Sequence, residues 1–293
     1  MEKLIQQLIN GISIGSIYAL IALGYTMVYG IIKLINFAHG EILMIGAYVG
    51  LICVTTFKLP LIAAMLIAMV VCAILGMLIE RVAYKPLRNA PRIALLITAI
   101  GVSFLLQYIM LYRFSATPMV YPASITGSFG SIQIGNIIIP VIRIVVTVVT
   151  IILMILVQII IKKTKLGKGM RAVSSDRDAA QLMGVSVDRS ISFTFLLGSA
   201  LAAVAGVMYG VMFNVSPMMG SSSGIKAFTA AVFGGIGNIP GAILGGFLLG
   251  IIETMVSAYI SSSIKDAAAF AILIIILLVR PSGLLGKNVR EKV

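Results

Sequence analysis

Charged residues are scarce in this 293-residue sequence, in which Asp, Glu, Lys and Arg make up 11 % and hydrophobic residues 60 %. A soluble domain carries roughly 25 % charged residues. The mean hydropathy of +1.13 and the repeated apolar runs of about 20 residues therefore predict an all-α integral membrane protein. A β-barrel is not indicated, because barrel strands are about half that length and alternate in polarity.

Side chains for independent catalysis are also few. The sequence has one histidine and two cysteines, Cys53 and Cys72, which both lie in apolar runs. These residues predict neither a zinc site nor a disulfide framework. A G-x-x-x-x-G-K-[ST] segment is missing from the sequence, which excludes the usual P-loop route to ATP hydrolysis. We expect a non-catalytic chain that holds no metal and no other cofactor.

Negative charge is scarcer than positive charge, with 9 Asp and Glu against 22 Lys and Arg. Nucleic-acid binding is not predicted, because the basic residues lie in loops between apolar runs and have no interleaved aromatic residues. Basic loops instead mark the cytoplasmic side of a membrane protein. They occur at Lys33, at 81–92, at 162–189 and in the tail from Arg280 onward, and they predict an external N-terminus.

The apolar runs predict one transmembrane domain, residues 1–293, built as a polytopic bundle of about eight or nine helices. Residues 222–238 differ from the other runs, because their apolar core of about 12 residues lies between Gly- and Ser-rich flanks. That length is too short for a straight span, so we expect a discontinuous or re-entrant helix there. Broken helices of this kind mark substrate paths in many transporters.

Residues 162–189 are the only sizeable polar block, and we interpret them as a cytoplasmic loop that contains a short helix. Ser174 or Ser175 is expected to cap this helix, and Gly184 to end it. An apolar stripe suited to docking on another cytosolic protein is expected along it. The stripe would consist of Val173, Ala180 and Met183. The alternative is a merely solvated, positive-inside loop.

Several polar or ionisable groups lie within or beside the apolar runs, where such groups are costly and often functional. The candidates for a translocation path are Asn36, His39, Glu41, Lys226 and Glu253. Structural roles are the alternative. Glu253 would bond a neighbouring helix, Lys226 would extend toward the membrane surface, and His39 and Glu41 would lie near the cytoplasmic rim, paired with Lys33.

Three motifs resemble one known family and occur in that family's order. They are Asn36-Phe37-Ala38-His39-Gly40-Glu41 followed by Gly46-Ala47-Tyr48, then Asp178-Ala179-Ala180-x-x-x-Gly184, and then the glycine-rich segment FGGIGNIPGA at 233–242. Over essentially its whole length the chain resembles LivH-type permeases of branched-chain amino-acid importers, which belong to the ATP-binding-cassette (ABC) class. Asp178 replaces the glutamate of the importers' EAA-x-x-x-G motif.

The resemblance implies a multi-pass permease of the cell membrane that forms half of a translocation pathway for leucine, isoleucine and valine. It implies four partners: a second permease of the LivM type, two cytosolic ABC ATPases that hydrolyse the ATP, and an extracytoplasmic solute-binding protein. It also implies residues that couple the permease to the ATPases. These are Asp176, Arg177, Asp178, Ala179, Ala180 and Gly184.

Other functions remain open at this point. Closely similar permeases move urea or short amides, so the substrate has an alternative within the family. A stand-alone secondary carrier would need intramembrane carboxylates, for which Glu41 and Glu253 are the only support, and would leave the coupling motif without a role. A passive channel or scaffold would explain the glycine-rich helices but predicts no bound ATPase.

Overall fold

The structure is a computed structural model that describes residues 2–88, 90–127 and 129–286. Most of the basic tail falls after residue 286 and therefore lies outside the described residues. In chain order the elements are α1 (Glu2–Ile32), α2 (Ala38–Thr55), α3 (Leu61–Ile79) with a π-helical turn (Glu80–Tyr84), α4 (Arg92–Phe114), α5 (Ala123–Thr126), β1 (Ser131–Ile134), β2 (Ile137–Pro140), α6 (Val141–Lys163), α7 (Lys165–Ser175), α8 (Arg177–Leu182), α9 (Val187–Met212), α10 (Met219–Gly234), α11 (Ile239–Tyr259), a 3-10 turn (Ser262–Ile264) and α12 (Lys265–Val279).

Among the described residues, eight helical segments are long and apolar enough to cross a membrane: α1, α2, α3 with its π-helical turn, α4, α6, α9, α11, and α12 together with the 3-10 turn before it. The predicted polytopic helical membrane protein is thereby confirmed. The strands form one antiparallel hairpin, in which Ser131 lies opposite Pro140. This hairpin belongs to the connection between α4 and α6, so it adds nothing to the core of the bundle.

The two ends of α1 lie beside different loops. At its start, Gln6 Nε2 donates to the backbone oxygen of Ile138 at 2.9 Å, and Asn136 Nδ2 donates to Glu2 at 3.0 Å. Its other end lies beside α7, with Ile31 and Met170 lining one cavity. The hairpin loop and the polar segment 162–189 are therefore on opposite sides of the bundle, as the distribution of basic residues predicts.

The centre of the bundle consists of α1, α2, α9, α10 and α11, and the middles of α1 and α9 are buried. Small residues allow α1 and α11 to approach closely, because a Cβ atom added to Gly11 would lie 2.7 Å from the Cα atom of Ile251. Such contacts are the usual basis of helix packing in membranes. By contrast, α4, α6 and α12 are peripheral and expose many apolar side chains.

The short helix expected at 222–238 is present as α10, but its bounds differ from the expected ones. It runs from Met219 to Gly234, and its 16 residues span about 24 Å, less than the roughly 30 Å of a hydrocarbon core. The helix ends early because Gly235 and Gly237 adopt positive φ angles of 110° and 89°, which interrupt helical geometry. A non-helical segment precedes it, and there Met119 N donates to Val215 O at 2.8 Å.

Candidate functional site

Glu41 lies in the first turn of α2 and is fully buried. Its Oε1 atom accepts hydrogen bonds from Ser221 Oγ of α10 at 2.9 Å and from Ser103 Oγ of α4 at 3.3 Å. Its Oε2 atom has no hydrogen-bond partner among the described residues. Three helices therefore meet at one carboxylate, and that carboxylate is only half satisfied.

Glycines make this meeting possible. A Cβ atom on Gly40 would overlap the backbone oxygen of Gly220, and one on Gly224 would lie 3.0 Å from the Cα atom of Gly40. A Cβ atom on Gly220 would overlap Oε2 of Glu41. The backbones of α2 and α10 thus cross in contact, and the carboxylate lies directly against the first turn of α10.

A small cavity adjoins the two serines. It encloses about 160 Å³ and is mainly apolar. Its walls come from Tyr25 of α1, Phe37 before α2, Ile100, Ser103 and Phe104 of α4, and Gly220, Ser221, Gly224 and Ile225 of α10. Ile100, Phe104 and Ile225 are also partly exposed, so the cavity opens on the surface of this chain between α4 and α10.

Lys226 and Glu253, two of the predicted site residues, are brought together away from Glu41. Lys226 Nζ of α10 lies 2.7 Å from Glu253 Oε1 of α11 and 2.7 Å from Asp266 Oδ1 of α12. Tyr18 of α1 donates its hydroxyl to Glu253 Oε2 at 2.8 Å. This second cluster links four helices through paired charges, and a bond from Glu253 to neighbouring helices agrees with its structural alternative.

Asn36 and His39 make contacts within the bundle. Tyr84 donates its hydroxyl to Asn36 Oδ1 at 2.7 Å, and Ala38 N donates to the same oxygen at 3.1 Å. His39 is buried and packs edge-on against Tyr25, with 4.8 Å between the ring centroids. The expected pairing of His39 and Glu41 with Lys33 is wrong, because no such bond occurs in the described part of the chain and the tight α2–α10 crossing encloses Glu41 instead.

A charge network on the side of segment 162–189 ties α9 to the end of α3. Arg88 donates to both Asp188 and Glu80, Lys85 Nζ lies 2.7 Å from Asp188, and Ser192 Oγ donates to Glu80 at 2.8 Å. Glu80 belongs to the π-helical turn that ends at Tyr84. π-Helical turns of this kind are frequently found at functional sites.

The polar segment folds as two short helices rather than one. Asp176 separates them in an extended conformation and caps α8, because its Oδ1 atom accepts from Ala179 N at 2.9 Å. The expected cap at Ser174 or Ser175 is therefore wrong, since both serines still belong to the last turn of α7. Gly184 follows α8 with a φ angle of 79°, which agrees with its expected role as the helix stop.

Most residues predicted to couple the chain to ATPases are exposed, namely Asp176, Arg177, Asp178, Ala179 and Gly184, whereas Ala180 is buried. The expected apolar stripe is not one surface. Val173 and Ala180 pack inside the chain, but Met183, the residue that follows α8, is 84 % exposed. Leu182 beside it is 89 % exposed. The apolar face that α8 offers to its surroundings is thus Leu182 with Met183.

A family model described as "Branched-chain amino acid transport system / permease component" matches residues 7–278. The chain belongs to this family. The membership inferred from the three motifs is thereby confirmed, and with its eight candidate spans the chain is a multi-pass membrane permease.

Individual relatives cover nearly the whole chain. It is 43 % identical over 300 aligned positions to the high-affinity branched-chain amino acid transport system permease protein BraD of Pseudomonas aeruginosa, covering 99 % of this chain and 98 % of BraD. It is 44 % identical to the corresponding protein LivH of Escherichia coli K12, covering 99 % and 97 %. A probable branched-chain amino acid transport permease protein LivH of Methanocaldococcus jannaschii is 32 % identical, covering 82 % and 76 %.

Sequence reasoning missed several residues of these clusters. Ser103 and Ser221 are ordinary serines of helical segments, and nothing in the sequence links either one to Glu41. Asp266 and Asp188 could have been identified from the sequence, because acids beside apolar runs are rare in a chain that has only 9 Asp and Glu. The scarcity of acids was therefore the one signal that pointed to them.

Proposed function

We propose that this chain is the membrane-spanning permease subunit of an ABC importer for leucine, isoleucine and valine in the bacterial inner membrane, forming half of its translocation pathway. The observation that carries the proposal is the 43–44 % identity, over 99 % of the chain, to two permeases of high-affinity branched-chain amino acid transport. The whole chain, residues 1–293, would serve as one transmembrane permease domain. The subunit itself would be non-catalytic.

The proposal includes partners. Two cytosolic ATPases would hydrolyse the ATP, a second permease of the LivM type would complete the pathway, and an extracytoplasmic solute-binding protein would deliver the substrate. Support comes from the absence of a P-loop in the sequence and from the transport systems named for the relatives. The peripheral helices α4, α6 and α12 also leave wide apolar faces for lipid or for a second membrane subunit.

Residues 162–189 would be the segment that docks on the ATPases, with Asp176, Arg177, Asp178, Ala179, Ala180 and Gly184 forming and flanking the docking helix. The exposed pair Leu182 and Met183 supports this role. The two side chains are adjacent and 89 % and 84 % exposed, so they form a small apolar patch that an ATPase surface would bury. The cap at Asp176 and the turn at Gly184 hold that pair at the tip of the segment.

A route from this segment into the bundle is also proposed. Helix α8 ends at Leu182, and α9 begins five residues later, with Asp188 in its first turn held by Arg88 and Lys85. Arg88 also holds Glu80 in the π-helical turn, and Tyr84 of that turn bonds Asn36 just before α2. Through these bonds, a displacement of α8 would be transmitted to α2, the helix that carries Glu41.

The test of the substrate is uptake into proteoliposomes that contain the complete importer. We expect uptake of leucine that requires ATP and the binding protein and that does not respond to a collapsed ion gradient. Uptake of urea in place of leucine would favour the amide-transporting branch of the family. Gradient-driven uptake without ATPases would overturn the importer itself in favour of a secondary carrier.

The test of coupling is the Leu182→Asp variant, which replaces one member of the exposed apolar pair with a charged side chain. Truncating or charging an interface anchor typically costs at least about 2 kcal/mol, so we expect a more than tenfold loss of co-purifying ATPase and of leucine uptake. Thr164→Asp is the matched control. It adds the same charge to the same loop and keeps a good N-cap for α7, where Thr164 now accepts from Gly167 N. Equal ATPase recovery from both variants would contradict the docking role.

A further inference from the structure

We propose that the cavity between α4 and α10, beside Glu41, is a binding subsite for the translocated amino acid. The ammonium group of the amino acid would lie at Ser103 and Ser221 in front of Glu41, and its branched side chain would lie against Ile100, Phe104 and Ile225. The inference rests on the proposed function for the identity of the solute. The choice of this cavity rests on the geometry around Glu41.

The first argument is that no cationic side chain of the described residues pairs with Glu41. In the part of the chain that the structure describes, no Lys, Arg or His bonds to it, and its Oε2 atom has no partner. An unpaired buried carboxylate costs several kcal/mol, and the positive N-terminal end of α10 offsets only part of that cost. A cationic group from outside the chain would complete this site.

The second argument is that the two serines connect the carboxylate to the cavity. Ser103 and Ser221 both line the cavity, and both donate to Glu41 Oε1. A hydroxyl group has one donor and two acceptor positions. Each serine oxygen can therefore accept a hydrogen bond from an ammonium group in the cavity while its hydroxyl donates to Glu41. Gly220, against which Oε2 lies, lines the cavity as well.

The third argument is the remainder of the wall. Ile100, Phe104 and Ile225 make it apolar, and its volume of about 160 Å³ is below the roughly 300–1,000 Å³ of pockets for drug-sized ligands. The cavity thus suits a small solute that has one apolar branch and one cationic head. Its polar floor argues against permanent cover by lipid, because polar groups within membranes face protein or water.

The experiment is photo-crosslinking of the purified complete importer with photo-leucine, followed by peptide mapping. We expect saturable labelling of peptides that contain Ile100–Phe104 or Gly220–Ile225. Excess leucine and 3-methylbutylamine, which keeps the amino group, should both compete with the label. The compound 4-methylpentanoate, which lacks the amino group, should not compete. Competition by 4-methylpentanoate alone would overturn the assignment of the ammonium group.

Variants separate binding from folding. Glu41→Gln keeps the size of the side chain and removes its charge, and we expect labelling to fall by about tenfold or more, since hydrogen bonds to charged groups contribute about 1.5–3 kcal/mol. If that variant does not assemble, Ser221→Ala keeps Glu41 and should lower labelling by a smaller factor. Ser222→Ala is its matched control, because the Ser222 hydroxyl donates to Met219 O of its own helix. Equal labelling of Ser221→Ala and Ser222→Ala would count against the subsite.

Two failures can be told apart. Labels elsewhere in the chain, in a wild-type importer that takes up leucine, would overturn the subsite and leave the proposed function intact. A wild-type importer that takes up no leucine, isoleucine or valine would overturn the proposed function, and the amino-acid subsite with it.

Discussion

Glu41 and Glu253, two of the acids buried among the membrane helices, have opposite surroundings. Glu253 has Lys226 at 2.7 Å and the Tyr18 hydroxyl at 2.8 Å, and Lys265 lies 3.9 Å away. Glu41 has two serine hydroxyls on one oxygen and no partner among the described residues on the other. Both acids are buried and contact α10. The difference in pairing therefore comes from the side chains around each acid and not from the extent of its burial.

The difference separates a structural acid from an available one. The charges around Glu253 are satisfied within the chain, and they tie α1, α10, α11 and α12 together. This arrangement favours a structural role, and we call the cluster of Lys226, Glu253, Asp266 and Tyr18 a clamp because its bonds join four helices. A role of Lys226 and Glu253 in the translocation path stays a prediction. Glu41 keeps unused hydrogen-bonding capacity next to a cavity, which the protein retains at a cost in stability. Removing the charge of each acid should therefore have different consequences.

The largest effect is expected when Lys226 is replaced. Lys226→Met leaves Glu253 and Asp266 without their shared cation, and breaking a buried pair typically costs about 3–5 kcal/mol. Thermal unfolding of the detergent-solubilised complex should show a clearly lower Tm. Lys265→Met is the matched control, since that exposed cation is 3.9 Å from Glu253 and should contribute less than about 1 kcal/mol. Equal Tm values for the two variants would remove the basis for calling this cluster a clamp.

A smaller change in Tm is expected when Glu41 is replaced, and its sign should be opposite to that for Lys226→Met. Glu41→Gln removes an unpaired buried charge, so we expect a Tm equal to or above that of the wild type. Leucine uptake should nevertheless fall by about tenfold or more, as expected for the loss of a charge-assisted contact of about 1.5–3 kcal/mol. Glu253→Gln is the comparison variant for stability, and its Tm should fall. A lower Tm for Glu41→Gln would mean that Glu41 already has a partner in the assembled protein.

The sequence predicted the helical bundle and the family, because these depend on composition and on local motifs, whereas the cytoplasmic location of the basic loops stays a prediction. It also identified Glu41 and Glu253 as rare intramembrane acids, but it could not say which was paired. That distinction depends on Ser221, which is 180 residues from Glu41 in the chain, and on Lys226 and Asp266 meeting across two helices. The prediction of the cap at Ser174 or Ser175 failed because a neighbouring residue serves as the cap instead. Asp176 is extended, and its side chain accepts a hydrogen bond from a backbone N–H group of α8.

The smallest effect is expected at Tyr18, the uncharged member of the Glu253 cluster. Tyr18→Phe removes one hydrogen bond to Glu253 Oε2 but leaves the ion pair with Lys226, so we expect a loss of only about 1 kcal/mol. The Tm should fall slightly, and Tyr29→Phe is the matched control on the same helix, because the Tyr29 hydroxyl makes no hydrogen bond in the described part of the chain.

A loss from Tyr18→Phe as large as that from Lys226→Met would change the interpretation of the comparison. It would mean that the hydroxyl, the lysine and the carboxylate stabilise the bundle as one cooperative network rather than as a pair with an added bond. A double-mutant cycle of Tyr18→Phe with Lys226→Met measures this coupling directly. Near-additive effects would leave the ion pair as the feature that distinguishes Glu253 from Glu41.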